Sequence, residues 1–307
     1  MVNDVEKQPP EHFADRLLAA IEEKGSPVCV GLDPDIDRLP KELQPQSNDP
    51  EQHLKAVGLF CAQVLEIVAP FVPAVKPQIA YFEQLRGPQP FFGLAIYSMV
   101  IRLAREMGLI VIGDTKRGDV GSTARAYAAA HISSPEAADA ITVNGYFGAD
   151  GLAPFVEAGR DSGRGLFVLV RTSNPSAEDI QDFTDVTGRR FYEHIAGQVA
   201  EIGGGEGLIG SSGYSCVGAV VGATYPQEAR TLREIMPQQI FLVPGYGAQG
   251  ATGRDCAAAF KPDGTGAIVN ASRSVIYAHN RYPNMDWKKA VEKAAKDFAA
   301  DIASAVY

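Results

Sequence analysis

This chain of 307 residues lacks several features that mark specialised classes of protein. No apolar run reaches the ~18 residues that a membrane helix needs. The first ten residues contain neither the basic nor the apolar region of a signal peptide. The few cysteines show no C-x-x-C spacing, so we expect buried free thiols rather than a zinc site, in a reducing compartment. They are Cys29, Cys61, Cys216 and Cys256. These absences predict a cytoplasmic protein that does not associate with membranes.

An excess of positive charge is also missing, because 28 Lys and Arg oppose 37 Asp and Glu and the net charge is −9. Binding of nucleic acid through a general positive field is therefore not expected. A small anionic substrate fits the composition, because a few local cations can outweigh distant surface charge. No linker rich in Gly, Ser or Pro and no low-complexity tract divides the chain, so we expect one domain over residues 1–307.

Short apolar runs alternate with helical stretches along the whole chain. Most of these runs are rich in Val, Ile and Leu without strict alternation, as expected for parallel strands that are buried on both faces. The predicted strands are Val28–Leu32, Ala74–Ile79, Leu109–Gly113, Ala140–Val143, Leu166–Arg171, Val217–Gly222, Ile240–Val243 and Ala267–Asn270.

Predicted helices fill the gaps between these strands. In the clearest, Pro50–Ala69, Asp49 is placed to act as the N-cap and Gln52 can complete a capping box. The others are Glu11–Glu23, Gly93–Glu106, Gly121–His131, Gly151–Ala158, Tyr192–Glu201, Gln227–Ile235, Asp255–Phe260 and Trp287–Ile302. Eight βα units with an extra N-terminal helix predict an α/β fold, a (β/α)8 TIM barrel. A doubly wound open sheet is the alternative, since the strand count alone does not prove closure.

The densest group of charged residues follows the third strand, as Asp114-Thr115-Lys116-Arg117-Gly118-Asp119. If the strand continues to Lys116, then Asp114 and Lys116 point to the same side. In a barrel that side is the interior at the C-terminal mouth, where active sites form. Buried charges need partners, and here the acids outnumber the base. The pattern is therefore typical of a reaction that changes the local charge, although Asp119 could also cap the next helix.

Polar residues follow other strands at the same predicted mouth. Asp33 follows the first strand and is suited to accept hydrogen bonds from sugar hydroxyls, and Lys76 interrupts the second. The glycine-rich stretch from Pro244 to Ala251 follows the seventh strand, and Ser272-Arg273-Ser274 follows the eighth. Loops after strands seven and eight commonly bind phosphate in such barrels, and Arg273 could add a charge-assisted contact.

The order G-L-D-P-D, V-K-P, D-T-K-R-G-D-V-G-S-T, V-G-A-T, P-G-Y-G-A-Q-G and S-R-S resembles the orotidine 5′-phosphate decarboxylase family, particularly its longer bacterial branch. The resemblance extends from Val28 to about Tyr277. It implies a carboxy-lyase of pyrimidine biosynthesis that converts orotidylate to uridylate and CO2 without a cofactor or a metal. It also implies catalytic roles for Asp114, Lys116 and Asp119, with Lys116 donating a proton to C6.

The same resemblance implies substrate-binding roles for Asp33, Lys76, Thr123, Ser173, Gln249, Gly250 and Arg273. Asp33 and Lys76 would bind the ribose, and Ser173 would read the pyrimidine edge. Gln249, Gly250 and Arg273 would bind the phosphate. Asp119, with Thr123 beside it, would reach the site of a neighbouring subunit, which implies a homodimer with shared active sites. Ala251 and Ser272 depart from the glycines that are common in shorter members, which leaves the geometry of the phosphate loop open.

Two other functions fit parts of the pattern. A Mg²⁺-dependent sugar-phosphate decarboxylase or aldolase of the same barrel superfamily would share D-x-K-x-x-D and the phosphate loops. It needs an acidic metal ligand on the second strand, where this chain has Lys76. A catalytically silent nucleotide-binding barrel is opposed by the filled catalytic positions. The polar stretch Asn174–Arg190 is expected to form either a surface excursion or a lid over the substrate.

Overall fold

Eight parallel strands close into a barrel in the computed structural model, which describes residues 11–87, 91–248 and 250–307. The strands are β1 Val28–Leu32, β2 Ala74–Pro77, β3 Ile110–Arg117, β4 Ala140–Asn144, β5 Gly165–Arg171, β6 Ser215–Val221, β7 Gln239–Pro244 and β8 Ala267–Ala271. Each strand pairs with the next along the chain, and β8 pairs with β1. This closure confirms the predicted (β/α)8 barrel and excludes the doubly wound open sheet.

Helices surround the barrel and connect its strands. They are α1 Phe13–Lys24, α2 Pro50–Val68, α3 Ala80–Glu83, α4 Phe92–Glu106, α5 Gly121–Ala128, α6 Gly148–Ser162, α7 Glu178–Gln181, α8 Phe191–Gly203, α9 Pro226–Ile235, α10 Gly253–Ala257, α11 Arg273–Ile276 and α12 Trp287–Val306. The short helices α3, α7 and α11 were not predicted. Each lies within a few residues of a strand's C-terminal end, in the loops where active sites of such barrels form.

The extra N-terminal helix, α1, covers the N-terminal end of the barrel. Phe13 packs edge-on against Phe167, with ring centroids 5.9 Å apart. A Cβ atom on Gly165, the first residue of β5, would lie 2.1 Å from the Phe13 ring, so only glycine leaves room for the aromatic side chain. Arg16 adds an ion pair with Asp139 at 2.7 Å. The helix therefore leaves the opposite, C-terminal end as the open mouth.

Several predicted boundaries are wrong for identifiable reasons. Asp49 does cap α2 by accepting from the Glu51 N–H at 3.1 Å, but the Gln52 side chain accepts from Gln46 instead of closing a capping box. Helix α10 begins at Gly253 rather than at Asp255, because Thr252 is its N-cap and Asp255 completes the capping box. The predicted helix Gly121–His131 ends as an α-helix at Ala128 and continues as a π-helical turn, Ala129–Ser133.

The core confirms the prediction for the cysteines, since all four are buried and free of disulfides. One face of α2 is apolar and buried, including Leu54, Val57 and Val64. None of the helices in the described ranges combines the length and the apolar character that crossing a membrane requires.

Candidate active site

Asp114 lies near the end of β3 at the barrel mouth, and four donors surround its carboxylate. Oδ1 accepts from Lys116 Nζ at 2.6 Å and from Thr142 Oγ1 at 2.8 Å. Oδ2 accepts from Lys76 Nζ at 2.7 Å and from Gln78 Nε2 at 3.0 Å. Burial alone would raise the pKa of Asp114, but the two lysines outweigh it and hold that pKa well below its usual value. The carboxylate therefore stays ionised at neutral pH.

Lys116 adopts an unusual backbone conformation at the end of this strand. Its φ of 47° lies in the left-handed region, which residues with a side chain rarely occupy. Its N–H donates to Thr142 Oγ1 at 2.9 Å, and the pairing of β3 with β4 shifts register between Gly113 and Arg117. The prediction that Asp114 and Lys116 share one side is confirmed, and 46% of the Lys116 side chain remains exposed. Strain of this kind is concentrated at functional sites.

Lys76 is the buried cation of the group, with 7% of its side chain exposed. Burial opposes its charge, but Asp114 and Asp33 outweigh that effect and the pKa of Lys76 is raised. The side chain is therefore protonated at neutral pH. Lys116 is the more exposed of the two cations and is therefore suited to contact an anionic ligand.

These groups line one side of a cavity of about 420 Å³. Its walls come from the ends of β2 to β7, and they combine the charged cluster with apolar side chains. The lining residues are Lys76, Asp114, Lys116, Thr142, Leu169, Thr172, Ser173, Asn174, Val220, Leu242 and Pro244. A larger groove of about 670 Å³ runs along the outside of α4, but the charged residues that line it are exposed. The chemistry therefore places the candidate site at the barrel mouth.

Asp33 lies beside this cavity, at the end of β1. Its backbone carbonyl accepts from the Tyr277 hydroxyl at 2.8 Å, and its charge helps to raise the pKa of Lys76. Asp33 Oδ1 is buried and has no hydrogen-bond partner among the described residues. A buried acceptor without a partner is costly, so this oxygen is suited to a ligand hydroxyl.

The loops after β7 and β8 lie side by side at the same mouth. Pro244 pairs with Asn270, and a Cβ atom on Gly247 would lie 3.1 Å from Ser274 Oγ. Gly250 is exposed with a φ of 88°, and Arg273 is exposed at the first position of α11. The two loops named in the phosphate prediction are therefore adjacent at the mouth.

Three further positions bear on the phosphate prediction. Gln249 lies outside the described residues. Ala251 is buried and bridges to Tyr246, so the loop closes on itself with alanine at this position. Ser272 packs on β1, where a Cβ atom on Gly31 would lie 1.8 Å from Ser272 Oγ. The serine is therefore accommodated by the missing side chain on the neighbouring strand.

Asp119 and Thr123 do not join the cavity within one chain. Asp119 Oδ1 accepts from the adjacent Val120 N–H at 2.8 Å, and Thr123 lies on the exposed face of α5. The N-cap position of α5 is occupied by Val120, so the alternative prediction that Asp119 caps this helix is wrong. Tyr146 and Phe147, in the loop after β4, are also exposed large side chains.

Two residues of the cluster had no predicted role. Thr142 interrupts the apolar run of β4, and Gln78 directly follows Lys76-Pro77 at the end of β2. Both side chains hydrogen-bond Asp114, and Thr142 also holds the Lys116 backbone. A lone polar residue in a buried strand was the available signal for Thr142. For Gln78 the signal was its position after a buried lysine.

The stretch from Asn174 to Arg190 is an excursion that is fastened to the barrel. It contains α7 and closes with an antiparallel bridge between Thr184 and Arg190. Its first residue, Asn174, lines the cavity. The excursion also exposes Phe183 and Val186, so it is less uniformly polar on the outside than the composition suggested.

No group of three or more His, Cys, Asp and Glu suited to hold a metal ion occurs in the described part of the chain. The Asp114 carboxylate is engaged by two lysines, an amide and a hydroxyl.

Comparison with known proteins identifies similar chains. The model of the family described as orotidine 5′-phosphate decarboxylase / HUMPS matches residues 26–285. The orotidine 5′-phosphate decarboxylase of Rhodopirellula baltica is 44% identical over 296 residues, which cover 92% of this chain and 96% of the relative. That of Deinococcus radiodurans is 42% identical over 266 residues, covering 87% of this chain and 89% of the relative.

A solved structure agrees with these similarities. The structure of Leishmania donovani OMP decarboxylase is 31% identical, with a TM-score of 0.73, and the match covers 95% of this chain and 98% of the other. The similarity thus extends over nearly the whole length of both chains.

Proposed function

The chain belongs to the orotidine 5′-phosphate decarboxylase / HUMPS family, and we propose that it converts orotidylate to uridylate and CO2 at the barrel mouth. The observation that carries this proposal is the pairing of the Asp114 carboxylate with two lysines beside the cavity. One oxygen accepts from Lys76 and the other accepts from Lys116. The cluster offers a fixed cation and an acidic proton donor next to space for a ligand. Those are the two groups that decarboxylation without an electron sink requires.

The proposed reaction breaks the bond between C6 and the carboxylate carbon. The electron pair stays on C6 as CO2 leaves, and the pyrimidine ring offers no conjugated sink for it. The Lys116 ammonium stabilises this carbanion electrostatically and then donates a proton to C6, which yields uridylate and a neutral lysine that solvent reprotonates. No cofactor takes part in this sequence.

Asp114 holds Lys116 in place through the 2.6 Å contact between Oδ1 and Nζ. Because its pKa is held low, it is also a fixed negative charge close to where the substrate carboxylate binds. Repulsion between the two carboxylates disappears when CO2 leaves, so Asp114 favours the transition state over the ground state.

The proposed substrate contacts follow the geometry of the mouth. Asp33 Oδ1 accepts a hydrogen bond from a ribose hydroxyl, and Lys76 donates one to the sugar. Ser173 hydrogen-bonds the edge of the pyrimidine. The phosphate is bound by the paired loops after β7 and β8, through Gln249, Gly250 and Arg273. Binding energy from this distant phosphate can support the events at C6.

We further propose a homodimer in which Asp119 and Thr123 complete the site of the partner subunit. The support is their position outside the cavity of their own chain, with Asp119 half-buried after β3 and Thr123 exposed on α5. The exposed Tyr146 and Phe147 provide apolar surface there. Four buried free thiols support a reducing compartment, and we propose the cytoplasm.

The activity is tested by following the loss of orotidylate's ultraviolet absorbance with purified protein in EDTA. We expect turnover that EDTA leaves unchanged. Abolition of turnover by EDTA, with recovery on adding Mg²⁺ and activity towards sugar phosphates, would instead favour the Mg²⁺-dependent alternative. Lys76 opposes that alternative, because its buried ammonium lies where a metal would need an acidic ligand.

A further inference from the structure

Arg171, the last residue of β5, is a completely buried cation. Its Nε donates to Glu228 Oε2 at 2.6 Å, and its Nη1 lies 3.0 Å from Asp182 Oδ1. The guanidinium also lies over the rings of Tyr192 and Tyr225, at 5.1 and 4.4 Å from their centroids. Such a fixed guanidinium ties the end of β5 to α9 and to the excursion after the strand.

Gln181, at the end of α7, reaches back from this excursion to the loop that follows β5. Its Oε1 accepts from the Thr172 N–H at 3.0 Å and from Arg171 Nη1 at 3.4 Å. Its Nε2 donates to Thr172 Oγ1 at 2.7 Å. One amide therefore holds both the backbone and the hydroxyl of Thr172, and Arg171 sets the orientation of that amide by donating to its oxygen.

The hydrogen bonds continue in a defined direction from Thr172. Because Thr172 Oγ1 accepts from Gln181, its own proton is free for Asn174 Oδ1, which lies 2.7 Å away. The Asn174 carbonyl oxygen is thus engaged, and its amide group is left as the donor end. Thr172, Ser173 and Asn174 all line the cavity.

The other side of this loop is closed by Gly222, the residue that follows β6. A Cβ atom on Gly222 would lie 3.0 Å from Ser173 Cβ, and the Gly222 N–H donates to the Arg171 carbonyl at 2.9 Å. Ser173 is therefore confined between a glycine on one side and the Gln181 anchor on the other.

We propose that Gln181, oriented by Arg171, is a positioning residue that presents Ser173 and Asn174 to the pyrimidine ring. This inference rests on the proposed function. A 2,4-dioxopyrimidine offers two carbonyl acceptors and one N–H donor along its edge. A serine hydroxyl, which can donate or accept, and an asparagine amide donor match that edge only when the loop backbone is fixed. Gln181 acts on this specificity through Thr172 and does not itself touch the substrate.

The test compares two ligands that differ only in the pyrimidine. Uridylate and ribose 5-phosphate compete with orotidylate, and their inhibition constants are measured for the wild type and for Gln181→Ala. We expect Gln181→Ala to weaken the binding of uridylate about tenfold or more. A misplaced hydrogen bond costs about 1.4 kcal/mol, which corresponds to that factor. The inhibition constant of ribose 5-phosphate should change by less than about twofold, because its contacts lie on other strands.

Two further variants separate positioning from stability. Gln181→Glu keeps the acceptor for the Thr172 N–H but cannot donate to Thr172 Oγ1, so it should show an intermediate loss for uridylate. Gln238→Ala removes an exposed glutamine from the turn before β7, at the opposite end of the barrel, and should match the wild type for both ligands. If the role of Gln181 were purely structural, Gln181→Ala would instead weaken the binding of both ligands equally.

Equal weakening of both ligands, or unchanged uridylate affinity, would overturn the positioning role. Failure of the proposed function has a different signature, because the wild type itself would then not consume orotidylate. If Arg171→Lys folds, it should reproduce the selective loss for uridylate. Should it not fold, the Gln181 pair of variants still decides the question.

Discussion

Thr142 Oγ1 lies 2.9 Å from the backbone nitrogen of Lys116, and this hydrogen bond holds Lys116 at a φ of 47°. The same hydroxyl donates to Asp114 Oδ1 at 2.8 Å. One buried threonine therefore stabilises a strained backbone and orients the carboxylate that the lysine contacts. Strand β4 thus sets the geometry of Asp114 and Lys116 near the end of strand β3.

Thr142→Val should reduce kcat without a comparable change in KM. The valine keeps the shape of the side chain but leaves the Lys116 N–H without its acceptor and removes one of the four donors to Asp114, so Lys116 Nζ should lose its fixed position. We expect a loss of about tenfold or more in kcat, the size of one misplaced hydrogen bond. Steady-state kinetics measure it, and Thr142→Ser, which keeps the hydroxyl, should stay within about threefold of wild type. Normal kcat in Thr142→Val would show that the threonine is dispensable.

Asp114→Ala should destabilise the fold as well as stop turnover. The variant leaves the Lys76 ammonium buried without its carboxylate, which costs about 3 kcal/mol or more in the free energy of unfolding. Denaturant titration at about pH 7 measures this difference against wild type. A change below about 1 kcal/mol would mean that solvent reaches Lys76 in the folded protein.

The same pair predicts a pH dependence of stability. The folded pKa of Asp114 is lowered from its usual 3.8, so its stabilising contribution is fully present above that value and is lost as pH falls towards the folded pKa. The difference in the free energy of unfolding between wild type and Asp114→Ala should therefore be the same at about pH 7 and pH 5.5 and smaller at about pH 3. A difference that grows on acidification would contradict the assignment.

Gly31→Ala should weaken the binding of ligands that contain a phosphate. A Cβ atom at this position would lie 1.8 Å from Ser272 Oγ and 2.8 Å from Ser272 Cβ, so the loop that carries Arg273 must move. We expect KM for orotidylate to rise about tenfold, and the double variant Gly31→Ala/Ser272→Gly to recover most of that loss by removing the clash. Equal KM values in the single and double variants would refute the steric cause.

Mixing two inactive variants tests the shared active site. Asp119→Asn and Lys116→Ala lack different parts of the proposed site, so a heterodimer of the two holds one complete site. Random reassortment makes about half of the dimers mixed, which restores about a quarter of the wild-type activity per subunit. Activity is measured after the mixed proteins are incubated together to exchange subunits. No recovery, with exchange verified by differently tagged subunits, would place Asp119 outside the partner's site.

The order of strands and helices was predictable from eight apolar runs and the helical stretches between them, and the site end was predictable because charged residues follow the strands. Asp114 and Lys116 were predictable as a pair because side chains two apart on a strand share a side. Closure of the sheet was not, since it depends on the pairing of β1 with β8, whose residues lie far apart in the chain.

Other details depend on contacts that no local pattern encodes. The left-handed conformation of Lys116 follows from a hydroxyl on the neighbouring strand, 26 residues later. Gln52 binds Gln46 rather than closing its own capping box, because the preceding turn brings that N–H within reach. Gln181 reads as part of a polar stretch, and its role emerges only when Arg171 is seen to hold it against Thr172.

Lys116→Ala tests the central claim most directly. The variant and the wild type are each incubated with orotidylate while its ultraviolet absorbance is followed, and binding of uridylate is measured in parallel. We predict loss of turnover in Lys116→Ala with uridylate binding retained, because the lysine acts on C6 while the ribose, pyrimidine and phosphate are held by other residues. Turnover close to that of the wild type would contradict the account, since the proton would then have to reach C6 from another group.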